Sequence, residues 1–112
     1  LSTIEIKDEN LEAVKAGMLA LTTEGSVSRH FADLPFQVGA KTGSAQVSAQ
    51  TESNAVFVCF APYDDPEIAL AIVIEKGSAG ANLASTAVEI LNAYFSADEV
   101  GTAIVGENQL LQ

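Results

Sequence analysis

The feature that most constrains this chain is the run Asn54-Ala55-Val56-Phe57-Val58-Cys59-Phe60-Ala61, apolar on both of its alternating faces. A strand of that kind belongs at the centre of a sheet, covered above and below. Pro62-Tyr63-Asp64-Asp65-Pro66 ends it with strong turn chemistry, because proline fixes φ and aspartate bonds back to the main chain. A second strand is predicted over Glu67–Glu75, with Ile68, Leu70, Ile72 and Ile74 on one face and Ala69, Ala71 and Val73 on the other. The small alanines predict a helix packed tightly on that second face. Upstream, the segment from Phe36 to Val47 begins with strand-like alternation but carries Gly39 and Gly43. Glycine inside a strand marks a place where another backbone or a ligand comes close, so an edge strand with a working exposed side is predicted. Short polar links join the three strands, which makes an antiparallel meander the economical topology.

Helical patterns lie on either side in sequence. Asp8, Glu9 and Asn10 supply cap and first-turn acids, followed by Leu11, Val14, Met18 and Leu21 on one face, and Gly25 closes the helix. Methionine at such a spacing reads as core filler. Residues 1–7 read as a short extended entry, and Ser26 to Asp33, with His30, as a polar loop. After the break Lys76-Gly77-Ser78-Ala79-Gly80, Thr86 and Glu89 form a capping box, with Ser85 or Asn82 as alternative caps. Leu83, Ala87, Ile90, Leu91 and Tyr94 then make a helical stripe ending near Phe95. Ser96 to Gln112 receives no assignment. The fold class is α+β, a three-stranded antiparallel meander flanked by two amphipathic helices. A three-stranded sheet apolar on both faces calls for further covering elements, so the fold reads as incomplete and self-association is expected. The start at Leu1 likewise suggests a processed or excised piece.

Fifteen acidic side chains against five basic ones give a formal charge of −10, which excludes a nucleic-acid grip built on clustered Lys and Arg. Lys7, Lys15, Arg29, Lys41 and Lys76 are too scattered for an electrostatic membrane anchor. A single cysteine, Cys59, rules out an internal disulfide framework and reads as a buried small hydrophobe. One histidine cannot build a metal cluster, the acidic residues lack calcium-loop spacing, and no cofactor is implied. No stretch approaches the ~20 apolar residues of a membrane span.

Lys41-Thr42-Gly43 is the tripeptide that carries chemistry. It stands in an edge-like strand with a glycine two residues before the lysine and Ser44-Ala45-Gln46 after the motif. Lys-Thr-Gly is one of the signatures of penicillin-binding proteins and serine β-lactamases. Val38 to Gln46 resembles the motif strand of that family, Asn54 to Pro62 its following strand, Pro66 to Glu75 its third, and Ser85 to Phe95 its closing helix. Ala16-Gly17-Met18 with Gly25 is similar to the helix and glycine turn ahead of the motif. The likeness spans about residues 11–95, and Ala45-Gln46 looks most like the class B, monofunctional transpeptidases. Ala40 stands where the family usually has Gly, and Ser44 where Thr is commoner, keeping the hydroxyl.

The resemblance implies a peptidoglycan D,D-transpeptidase of partial β-lactamase/transpeptidase-like fold, with residues 1–112 as its C-terminal segment. It implies that Lys41 anchors the hydrogen-bond network around an upstream serine nucleophile and draws in the anionic substrate. Thr42 and Ser44 would hold the terminal carboxylate of a stem peptide or a β-lactam, with Gly43 and Ala45 lying along it as in strand addition. The Ser44 backbone N–H would be one oxyanion-hole donor. Alternation puts Lys41 on the face opposite Thr42 and Ser44, so the cleft would have to use the edge of the sheet. No serine here has Lys three positions on, and no Ser-x-Asn occurs. The nucleophile, its base and the middle motif are therefore expected upstream, and the segment alone is expected to be inactive. Placement outside the bacterial cytoplasmic membrane, held by an upstream transmembrane helix, is implied by the resemblance too. A related β-lactamase or D,D-carboxypeptidase, or a non-catalytic α+β binding module, are the alternatives.

Overall fold

The computed structural model describes the backbone of residues 2–111 and the side chains of residues 2–97. The elements run α1 (Asp8–Thr23), α2 (Ser28–Phe31), β1 (Gly39–Ala45), β2 (Asn54–Ala61), β3 (Ile68–Ile74), a 3-10 turn (Gly80–Leu83) and α3 (Ala84–Leu111). The strands form one antiparallel sheet in the order β1-β2-β3, the expected meander. β2 matches its predicted span, whereas β1 and β3 are trimmed at both ends.

The register assigns each side chain to a face. Ala40 lies opposite Cys59, Thr42 opposite Phe57 and Ser44 opposite Ala55. Across the other ladder Ile68, Leu70, Ile72 and Ile74 pair with Ala61, Cys59, Phe57 and Ala55. Paired residues in an antiparallel ladder share a face, so all of these line one side, called here the inner face. Ala55, Phe57, Cys59 and Ala61 are buried there against Val27, Phe31, Leu83, Ala84, Ala87 and Leu91. Phe57 is fully enclosed, with the Phe31 ring stacked at 6.3 Å.

The outer face corrects the expectation of cover on both sides. Val56, Val58 and Phe60 are only half-buried, and Ala69, Ala71 and Val73 are exposed. No helix of the described residues rests on the alanines of β3. The N-terminal half of the apolar stripe of α1 is uncovered too, with Leu11 and Val14 exposed. The same physical reason serves both cases: α2, the 3-10 turn and the start of α3 together cover one side of the sheet, and among the described residues no further helix is laid over β3 on the other. Phe60 is partly shielded on this outer face. Its ring lies over Gly39, where a Cβ would run into it, and stacks on Tyr63 at 5.8 Å. Lys15 of α1 sets its ammonium 5.3 Å from the Tyr63 ring centroid, a cation–π contact.

Three local readings also change. Lys7 stands at the N-cap of α1 without a side-chain cap bond, so Asp8 and Glu9 act through the first-turn dipole alone. Ser26 to Asp33 is not simply loop: α2 makes one helical turn in it, because burying Val27 and Phe31 outweighs the polar composition. Neither Thr86–Glu89 nor Ser85 or Asn82 caps α3, since the 3-10 turn runs straight into it. That helix also continues past Phe95 to Leu111. Residues 2–7 form no regular element. Among the described residues, no helix is long and apolar enough to cross a membrane.

Candidate functional site

β1 is an edge strand, and its alternation decides what each motif residue offers. Gly43 faces Val56 across the ladder. The Gly43 nitrogen and oxygen and the Val56 oxygen all lie within 2.7 Å of one point above the sheet. Only a hydrogen-bonded pair, with main-chain groups pointing at each other, brings those atoms so close. The backbone groups of Thr42 and Ser44 must then point the opposite way, to the edge of β1 that carries no strand among the described residues. The position of Lys41 agrees with this. Its side chain starts on the outer face, opposite Val58, yet its ammonium donates a hydrogen bond to the Thr42 carbonyl. Lys41 therefore curls round the edge, and its ammonium lies beside the main chain of the inner-face residue Thr42.

The motif is accessible along its length. Thr42 and Gly43 are half-buried, while Lys41, Ser44 and Ala45 are exposed. The helix α1 and the 3-10 turn are packed on the strand. Val38 and Ala40 are buried in the core, and the Thr22 hydroxyl of α1 reaches the Val38 carbonyl at 2.6 Å. That bond ties the end of α1 to the residue just before β1. Ahead of it, Val14, Gly17, Met18, Leu21 and Gly25 of α1 and its turn form a groove of about 590 Å³ with Ala40, Lys41 and Thr42. The largely apolar groove beside the lysine was not foreseen. Its only sequence signal was the α1 stripe, which reads as ordinary core.

Cys59 lies in β2 on the inner face, 3% exposed, and burial pushes its thiol up to about 11. At neutral pH it is a protonated, packed side chain. His30 sits in α2, beside Arg29 at 3.4 Å and away from the motif strand.

An antiparallel sheet whose edge strand presents Lys-Thr-Gly, with a following helix laid on one face, defines the penicillin-recognising serine acyltransferases as a class. The chain belongs to the penicillin binding protein transpeptidase domain family, whose family model matches residues 1–95. It is similar to the peptidoglycan D,D-transpeptidase MrdA of Escherichia coli K12, at 27% identity over 87% of this chain and 18% of that protein. Penicillin-binding protein 2A of Bacillus subtilis is 30% identical over 66% of the chain and 12% of its own length. Among solved structures, Pseudomonas aeruginosa PBP2 in complex with WCK 5153 superposes with a TM-score of 0.71 at 28% identity, covering 83% of this chain and 21% of that one. Helicobacter pylori PBP2 in complex with MreC superposes at 0.72 with 26% identity, covering 81% and 18%. The chain thus spans between 12% and 21% of the length of these proteins.

Proposed function

We propose that residues 1–112 are the C-terminal segment of a penicillin-binding peptidoglycan D,D-transpeptidase and supply the motif-strand wall of its cleft. The observation that carries this reading is the unpaired edge of β1, where the Thr42 and Ser44 backbone groups and the Lys41 ammonium converge. Lys41 draws in the substrate carboxylate and anchors the network around a serine contributed from outside the segment. The Thr42 and Ser44 hydroxyls hold that carboxylate. Gly43 and Ala45 let the stem peptide or a β-lactam lie along the edge as an added strand. The Ser44 N–H stabilises the oxyanion formed when the serine attacks the D-alanyl carbonyl and D-alanine leaves. The rest of the transpeptidase domain is the first partner. Placement on the outer face of the bacterial membrane, through an anchor elsewhere in the protein, fits the same reading.

Incubating the segment with fluorescent penicillin, alone and then with the rest of the domain, tests the reading. Labelling is expected only in the second case. A segment that labels alone, or a complete domain that takes no label, overturns it. Rapid release of the bound label by the complete domain would point to a β-lactamase instead. The uncovered outer face also leads us to expect the isolated segment to self-associate despite its charge. Light scattering is the check, and a stable monomer at high concentration would count against it.

A further inference from the structure

Gly80 opens the 3-10 turn, well away in sequence from the motif, and is buried. A Cβ there would lie 2.5 Å from the Gly43 oxygen, 2.7 Å from the Gly43 nitrogen and closer still to the Val56 carbonyl. All three are main-chain atoms of the ladder, which cannot step aside as a side chain can. No glycine among the described residues has a positive φ, so backbone conformation does not demand glycine here and close packing does. Gly80 presses from the inner face, because nothing of it comes within 4 Å of the place where a Gly43 Cβ would stand. The turn cannot retreat either: Ser78 donates to the Ser53 carbonyl at 2.9 Å on one side, and Leu83 and Ala84 are anchored in the core on the other.

The Gly43 carbonyl and the Ser44 N–H belong to one planar amide, pointing in opposite directions. Whatever fixes the carbonyl against β2 therefore aims the N–H at the free edge. We infer that Gly80 is a positioning residue for the motif strand, setting the tilt of the Gly43–Ser44 amide and with it the direction of the Ser44 N–H. The inference rests on the proposed role of that N–H in acyl transfer.

The test uses the intact protein and separates non-covalent penicillin binding from the acylation step. Gly80→Ala is expected to slow acylation about tenfold, part of the hundredfold or more that loss of a whole oxyanion donor costs. Its non-covalent Kd should change less than about threefold, because the hydroxyl and ammonium contacts remain. Gly77→Ala is the control. Its Cβ would meet Ala55 Cβ at 2.9 Å and the Ile74 carbonyl at 3.0 Å, straining the same connection without touching Gly43. It should lose thermal stability and keep the wild-type acylation rate. Should Gly80→Ala not fold, Ala81→Gly loosens the turn without adding an atom and is expected to slow acylation about threefold at unchanged Kd. Acylation at the wild-type rate by Gly80→Ala, or by Ala81→Gly in its place, overturns the inference. So does an equal loss in Gly80→Ala and Gly77→Ala. Failure of the wild-type protein to take the label would instead remove the functional reading itself.

Discussion

Lys41→Ala in the intact protein is expected to slow penicillin acylation by two to three orders of magnitude while leaving the melting temperature nearly unchanged. The two halves of that expectation have separate grounds. Lys41 is exposed and, among the described residues, its ammonium bonds to the carbonyl of its own neighbour, so the fold loses little when it goes. Surface replacements of this kind stay within about 0.5 kcal/mol. The cleft, in contrast, loses the only cation on β1, placed where a substrate carboxylate and a developing oxyanion would both feel it. Removing one preorganised electrostatic partner from such a site costs about 3 to 4 kcal/mol of transition-state stabilisation. Lys41→Arg keeps the charge but trades a compact ammonium for a planar fork, so it should recover only part of the rate. The second-order rate of labelling by fluorescent penicillin, read beside a thermal melt, decides the matter. A Lys41→Ala protein that labels at the wild-type rate would mean the motif is a surface turn.

Phe57→Ala is the change expected to cost most in stability. Phe57 is 0% exposed, stands in the central strand, and is stacked on Phe31 beneath the start of α3. Truncating a fully buried phenylalanine costs about 3–5 kcal/mol through lost transfer energy and the cavity left behind. A small domain has only about 5–15 kcal/mol in hand, so the variant should shift the urea midpoint sharply or fail to fold. Since Thr42 lies directly opposite Phe57 in the ladder, loosening this core should also blur the motif strand. A loss below about 1 kcal/mol would show that the inner face is not the core. Val73→Ala on the bare outer face, 61% exposed, gives the contrast and should cost little.

Much of this was legible in the residues. Alternation and turn chemistry were enough for three strands, their order and the exact span of β2, because neighbouring strands with short links leave few other pairings. The edge character of β1 followed from Gly39 and Gly43, and the ring over Gly39 shows the close approach that glycine signals. What could not be read was which side of the sheet is covered. Ala69 and Ala71 suit a close-packed helix, but sequence periodicity carries no information on whether that helix lies within the chain. The one-turn α2 was hidden because a four-residue helix has too short a period to register, and only the burial of Val27 and Phe31 makes it form. The reach of Lys41 round the edge depends on side-chain length and strand twist, which alternation ignores. Gly80 gave no local sign at all, since its partners lie 37 and 24 positions earlier in the chain.

The meander has a kinetic consequence. Each ladder joins strands adjacent in the chain, and its widest register pair, Gly39 with Phe60, closes a loop of modest size. Loop-closure entropy is then small and zippering from each bend is rapid, in the regime of low contact order. The edge that bears the motif can acquire its shape early, as a preformed template on which slower, more distant stretches of polypeptide later settle.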